Sequence, residues 1–137
     1  MSRLPMLLAA LLLVVPSLPA AAQPLGTFRW QLQPYCNVLT LAVTQNGTVF
    51  TLDGVDDLCG SGPASAVGTA FLKPDLTVGL GVHLVTTPGA APVHLTVVLN
   101  PATVNGTWTD SAGNAGTFLF NPPSPAPGAP RPAGAAE

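Results

Sequence analysis

The chain has 137 residues, with Lys and Arg contributing 4 charges against 6 from Asp and Glu, for a formal net charge of −2. Charged residues make up only 7% while 47% are hydrophobic, so the chain lacks the basic stripe that nucleic-acid phosphates demand, and nucleic-acid binding is excluded as an expectation. Its 2 cysteines form an even pair, the pattern of a small disulfide-stapled domain in an oxidising compartment.

Residues 1–22 have the layout of a secretory signal peptide. Arg3 supplies the positive start, Met6 to Val15 the apolar run, and Ala20, Ala21 and Ala22 the small residues before Gln23. An uninterrupted run of about ten residues is half what a spanning helix needs, so cleavage after Ala22 is expected rather than a membrane anchor. The mature protein is then secreted or periplasmic, with no transmembrane helix.

From Gly26 onward the side chains alternate with period two. In TFRWQLQ, Phe28, Trp30 and Leu32 share a face, and in VLTLAVTQ so do Leu39, Leu41 and Val43. Asn46-Gly47 marks a type I′ hairpin turn, since both residues accept positive φ. TVFTLDG follows, then the long loop VDDLCGSGPAS, then AVGTAFLK and a turn at Pro74-Asp75. Leu76, Val78, Leu80, Val82 and Leu84 alternate through the next strand, and Val93, Leu95, Val97 and Leu99 through the one after it. VNGTWTD, the turn SAGN and AGTFLF complete eight strands, with no convincing helical period anywhere. Residues 122–137 are Pro, Ala and Gly with little to bury, which predicts an extended or disordered tail after a single domain at 23–121.

Short links join antiparallel neighbours, so the expected fold is all-β: an eight-stranded antiparallel up-and-down barrel, with a two-sheet β-sandwich as the alternative. Closure also removes the bare sheet edges that so uncharged a chain would otherwise expose. In that topology Cys36, in the first connection, and Cys59, in the third, emerge at one rim, and a disulfide between them is expected. The longer connections lie at the same rim, where loops on a rigid wall commonly carry binding residues.

The chemistry-bearing residues are few. Asp53, Asp56 and Asp57 form the one acidic cluster, a source of calcium ligands or of a general acid and base, although LDGVDDLCG lacks EF-hand spacing and reads equally as turn chemistry. Tyr35, Asp110 and Asn114 fall near the same rim and join the three aspartates as candidate ligand-binding residues. His83 and His94 fall opposite the leucine faces as near cross-strand neighbours, read as an exposed pair on the wall because the adjacent outward residues add no further metal ligand. No serine sits in a nucleophile elbow, so no catalytic residue, metal or cofactor is assigned. Seven inward aromatics are expected: Phe28, Trp30, Phe50, Phe71, Trp108, Phe118 and Phe120.

Gly26, Trp30, Gly106-Thr107-Trp108 and Gly116-Thr117-Phe118 resemble the Gly-x-Trp and Gly-Thr-Phe patterns of the calycin-type barrels, the architecture of avidins and lipocalins. Lipocalins carry Gly-x-Trp on the first strand, whereas here that spacing falls on the seventh. The polar ligand set of the avidins has no match, so biotin binding is not implied, and a shared fold alone does not establish function. The expected function is that of an exported, non-enzymatic binding or interaction module. Its partner would be a small apolar molecule or a protein surface, met by the loops at the disulfide end. The alternatives are a secreted enzyme or calcium-binding protein using Asp53, Asp56 and Asp57, and an outer-membrane barrel.

Overall fold

The computed structural model describes residues 21–85 and 92–132. The expected signal segment through Ala20 lies outside them, as does most of the connection after the fifth strand. Eight strands follow in order: β1 (Gln23–Gln33), β2 (Val38–Asn46), β3 (Val49–Asp56), β4 (Ala64–Leu72), β5 (Val78–Val85), β6 (Val93–Leu99), β7 (Gly106–Asp110) and β8 (Ala115–Phe120). Each pairs antiparallel with its neighbour, and β1 pairs with β8 from Trp30–Phe120 to Gln33–Thr117, closing an up-and-down barrel. The β-sandwich alternative is set aside by that last ladder.

Period-two alternation explains what the barrel holds. Trp30, Leu32, Leu39, Leu41, Leu52, Leu80, Val82, Leu84, Leu95, Val97, Trp108 and Phe118 all point inward and are buried. The interior is filled asymmetrically. Trp30 stacks on Phe118 with ring centroids 5.3 Å apart, and Phe120 and Phe28 close around them. On the opposite wall, β4 offers only Ala64, Ala66, Gly68 and Ala70. Wide side chains against narrow ones is how close packing is reached in a barrel of this diameter.

That parity corrects one expectation. Phe71 is outward and half exposed, because the alternation that buries Ala66 and Ala70 turns it to solvent. Leu76 departs likewise. The alternation expected to run from it stops in the β4–β5 turn, where Leu76 has φ 67° and is 69% exposed. The β2–β3 turn also differs: Gly47 and Thr48 are its two loop residues, Asn46 stays paired with Val49, and only Gly47 (φ 63°) has positive φ. Positive φ at the first loop position alone is the type II′ pattern, not type I′.

Each tryptophan ties one end of the barrel. The Trp30 indole donates to the Val104 carbonyl at 2.9 Å in the β6–β7 connection, and the Trp108 indole to the Gln33 carbonyl at 3.1 Å at the other end. Beyond β8 the chain turns back at Asn121, whose amide donates to the Arg29 carbonyl at 2.8 Å. Residues 122–132 have no regular secondary structure, yet they are not a free tail. They climb the outer face of β1 and pass onto the disulfide end as a strap.

Candidate functional site

The β1–β2 and β3–β4 connections do emerge together, and Cys36 and Cys59 form a disulfide with Cα atoms 5.3 Å apart. Around it, every candidate aspartate takes a different direction. Asp53 is on the outer wall of β3 and exposed. Asp56 faces the barrel mouth with no solvent exposure, accepting from the Leu58 amide at 2.9 Å and the Asn37 side-chain amide at 3.2 Å. Asp57 caps the short 3-10 turn Leu58–Gly60, accepting from the Cys59 amide at 3.0 Å and the Val38 amide at 2.9 Å. Asp53 is thus turned away from the other two, while Asp56 and Asp57 are engaged by adjacent backbone amides and repel each other. Among the described residues, no three or more His, Cys, Asp or Glu side chains gather as a metal site.

What the fold does bring together is Asp56, Asp110 and Asn114, through a residue that sequence reasoning left in the tail. Arg131 reaches into the mouth, its Nη1 2.6 Å from Asp110 Oδ2, with side-chain exposures of 3% and 0% for the pair. Its backbone amide donates to Asn37 Oδ1 at 2.8 Å, and Asn37 in turn donates to Asp56. Asn114 donates to Asp110 Oδ2 at 3.1 Å and to the Pro132 carbonyl at 3.3 Å. Tyr35 stands beside this set, packed against the Trp108 ring with centroids 6.0 Å apart.

The two buried carboxyls titrate in opposite directions. Burial raises Asp56 above the ordinary 3.8, outweighing the Leu58 amide, Asn37 and the Arg131 charge. Burial acts the same way on Asp110, but hydrogen bonds from Asn114 and Arg131, with the Arg131 charge, prevail and hold it below 3.8.

The rest of the strap is gripped through its backbone. Gln31 donates to the Pro127 carbonyl at 2.7 Å, and the Cys36 amide to the Ala129 carbonyl at 2.9 Å. Gln31 belongs to the outer face of β1, yet it is 1% exposed because the strap covers it. Gly128 passes so close that a Cβ there would lie 2.6 Å from the Pro34 carbonyl oxygen, and its φ of 122° favours glycine as well. Open clefts flank the strap, one lined by Gln31, Gln33, Pro34, Gly116 and Thr117, the other by the disulfide, Arg29 and Asp57.

Arg131, Asn37 and Gln31 escaped the sequence reading because a proline-rich segment buries little apolar surface. One signal was there: Arg131 is the one basic residue of the tail, and Asp56, Asp57 and Asp110 lie at the rim it meets. Elsewhere, His83 and His94 are directly paired across β5 and β6, exposed, with ring centroids 4.7 Å apart. At the opposite end of the barrel Val49, Phe71, Leu72 and Leu76 form an exposed apolar group. No protein-family model, curated protein or solved structure matches this chain.

Proposed function

We propose that this is an exported, non-enzymatic interaction module that meets its partner with the disulfide end of the barrel. One observation carries the reading. The buried polar residues among the described ones are Gln31, Asn37, Asp56 and Arg131, and all four sit at or beside that end, where Gln31 and Asn37 hold the segment that carries Arg131 and Asp56 holds Asn37. Buried polar groups cost stability unless they are paired, so their concentration at one end is what a recognition surface requires. The remainder of the barrel is an apolar filled core, which favours a surface partner over a small apolar ligand held inside.

The architecture fits a calycin-like barrel, and the disulfide and the leader-like residues 1–22 fit export to an oxidising compartment. A calcium site or a catalytic pair in the Asp53, Asp56 and Asp57 loop draws no support from an outward Asp53 and an Asp57 held by the Val38 and Cys59 amides. An outer-membrane barrel would want apolar residues outward and polar ones inside. This wall carries Thr40, Thr51, Thr69, Thr96, Thr107, Thr109 and two histidines outward around an apolar interior.

The test is photo-crosslinking in cells that export the protein, with a crosslinker at Ser61, on the disulfide rim, or at Thr48, in the β2–β3 turn. Adducts with a discrete partner from Ser61 alone are the expected result. Adducts only from Thr48 would move the working surface to the apolar group at the other end and overturn the proposal.

A further inference from the structure

We infer that the disulfide end and the adjoining outer face of β1 form a binding site for a proline-rich, arginine-bearing segment of another polypeptide. The chain's own residues 122–132 occupy that site as a resident pseudo-ligand. This rests on the reading of the disulfide end as the working surface and gives its partner a chemistry.

The contacts define the class. A proline-rich segment lacks internal hydrogen bonds and presents free carbonyls, so its receptor must supply donors. Here Gln31 Nε2, the Cys36 amide and Asn114 Nδ2 donate to the carbonyls of Pro127, Ala129 and Pro132. None of these contacts reads a strap side chain, so other sequences of similar backbone that keep a glycine in the place of Gly128 would fit. The one side chain that is read is Arg131, whose guanidinium meets Asp110 at 2.6 Å within a mouth that also holds Asp56. Charged hydrogen bonds of this kind are the strong ones, and they set where the segment stops.

The resident segment is an incomplete ligand. Gln31 Oε1 and Arg131 Nε are both buried and have no hydrogen-bond partner among the described residues. An arginine-bearing segment with a backbone N–H in place of a proline beside Gln31, and a hydrogen-bond acceptor beside its arginine Nε, would satisfy both atoms. A second copy of this chain brings the same atoms and gains nothing over its own strap, so the site points to a different polypeptide. The resident segment is also displaceable: across residues 122–132 only Pro122 and Arg131 are buried, so little apolar area anchors it.

The experiment is a titration of a fluorescently labelled peptide with the sequence of residues 121–132, NPPSPAPGAPRP, into the full-length protein and into Arg131→Ala. Release of the tethered competitor should let the variant bind the peptide at least about tenfold more tightly than the wild type does. A peptide with alanine in place of its arginine, or the double variant Arg131→Ala/Asp110→Asn, should lose that binding. Arg131→Lys, which keeps the cation but not the fork, guards against a folding defect and should bind with intermediate affinity. No binding by either folded variant, or equal binding of the arginine-free peptide, would overturn the inference. So would a wild-type dimer that Arg131→Ala converts to monomer, since it would assign the site to strap exchange. Failure here with Ser61 crosslinks intact removes this partner class alone, whereas loss of the Ser61 crosslinks removes the disulfide-end reading itself.

Discussion

Single residues set the tightest limits on this barrel. At Gly106 and Gly116 a Cβ would lie 1.9 Å from the Val98 carbonyl oxygen and 1.7 Å from that of Gln33, so neighbouring backbone fills the space any other residue needs. Gly116→Ala should therefore cost about 1–3 kcal/mol in urea unfolding, the range of overpacking and backbone displacement; a change under about 0.5 kcal/mol would contradict it. Asp110 makes a prediction of a different kind. Its folded carboxyl titrates below 3.8, so its contribution is present above the unfolded value and is lost as pH falls through the folded one. Asp56, raised above 3.8, has the opposite sign: its contribution is full below the unfolded value and is lost as pH rises through the folded one. Asp110→Asn should accordingly lower stability near neutrality by about 1.5–3 kcal/mol and flatten the acid limb of the stability curve. An unchanged acid limb would show that the Asn114 and Arg131 contacts to Asp110 are not formed in solution.

Strands were legible in the sequence where one face is buried, and misread where neighbours decide. Leu39, Leu41, Leu95 and Val97 announce their faces by alternation alone, and all are buried. Phe71 was misplaced because an aromatic was expected inside, although its own strand puts Ala66 and Ala70 there; β4 is narrow inside because Trp108 and Phe118 are wide on the far wall, which no single strand reveals. Leu76 continued a pattern that the Asp75 turn overrides, with Asp75 accepting from the Thr77 amide at 3.1 Å. At the site, the rim, the disulfide, Asp110 and Asn114 followed from topology. The strap did not, because backbone hydrogen bonds from Gln31 and Cys36 leave no trace in hydrophobic pattern. The disulfide joins connections 23 residues apart, so Cys36→Ala/Cys59→Ala should lose about 3 kcal/mol of stability while keeping the barrel. Loss of the β-sheet signature in circular dichroism would mean that the staple, and not the packed interior, holds the fold.

On the scale of the whole molecule, a barrel closed around Trp30, Trp108, Phe118 and its leucines presents its ends and outer wall to partners. An apolar dye should therefore find only the exposed apolar group at the Val49 end, and stoichiometric dye binding that survives Phe71→Ser/Leu72→Ser would reopen the ligand-in-barrel reading. The two ends are built differently: exposed apolar side chains at one, and at the other a disulfide, a buried Arg131–Asp110 pair and a backbone-gripping face. The proposed segment recognition falls to the second, and the Cys36 amide reports it directly because its hydrogen bond goes to the strap carbonyl of Ala129, whereas the Tyr35 amide beside it bonds within the barrel to Leu32. The deciding measurement is hydrogen exchange at these two amides in the wild type and in Arg131→Ala. A protected Cys36 amide is expected, exchanging at least about tenfold faster in the variant while Tyr35 is unchanged. A Cys36 amide that exchanges as fast in the wild type as in the variant would contradict it.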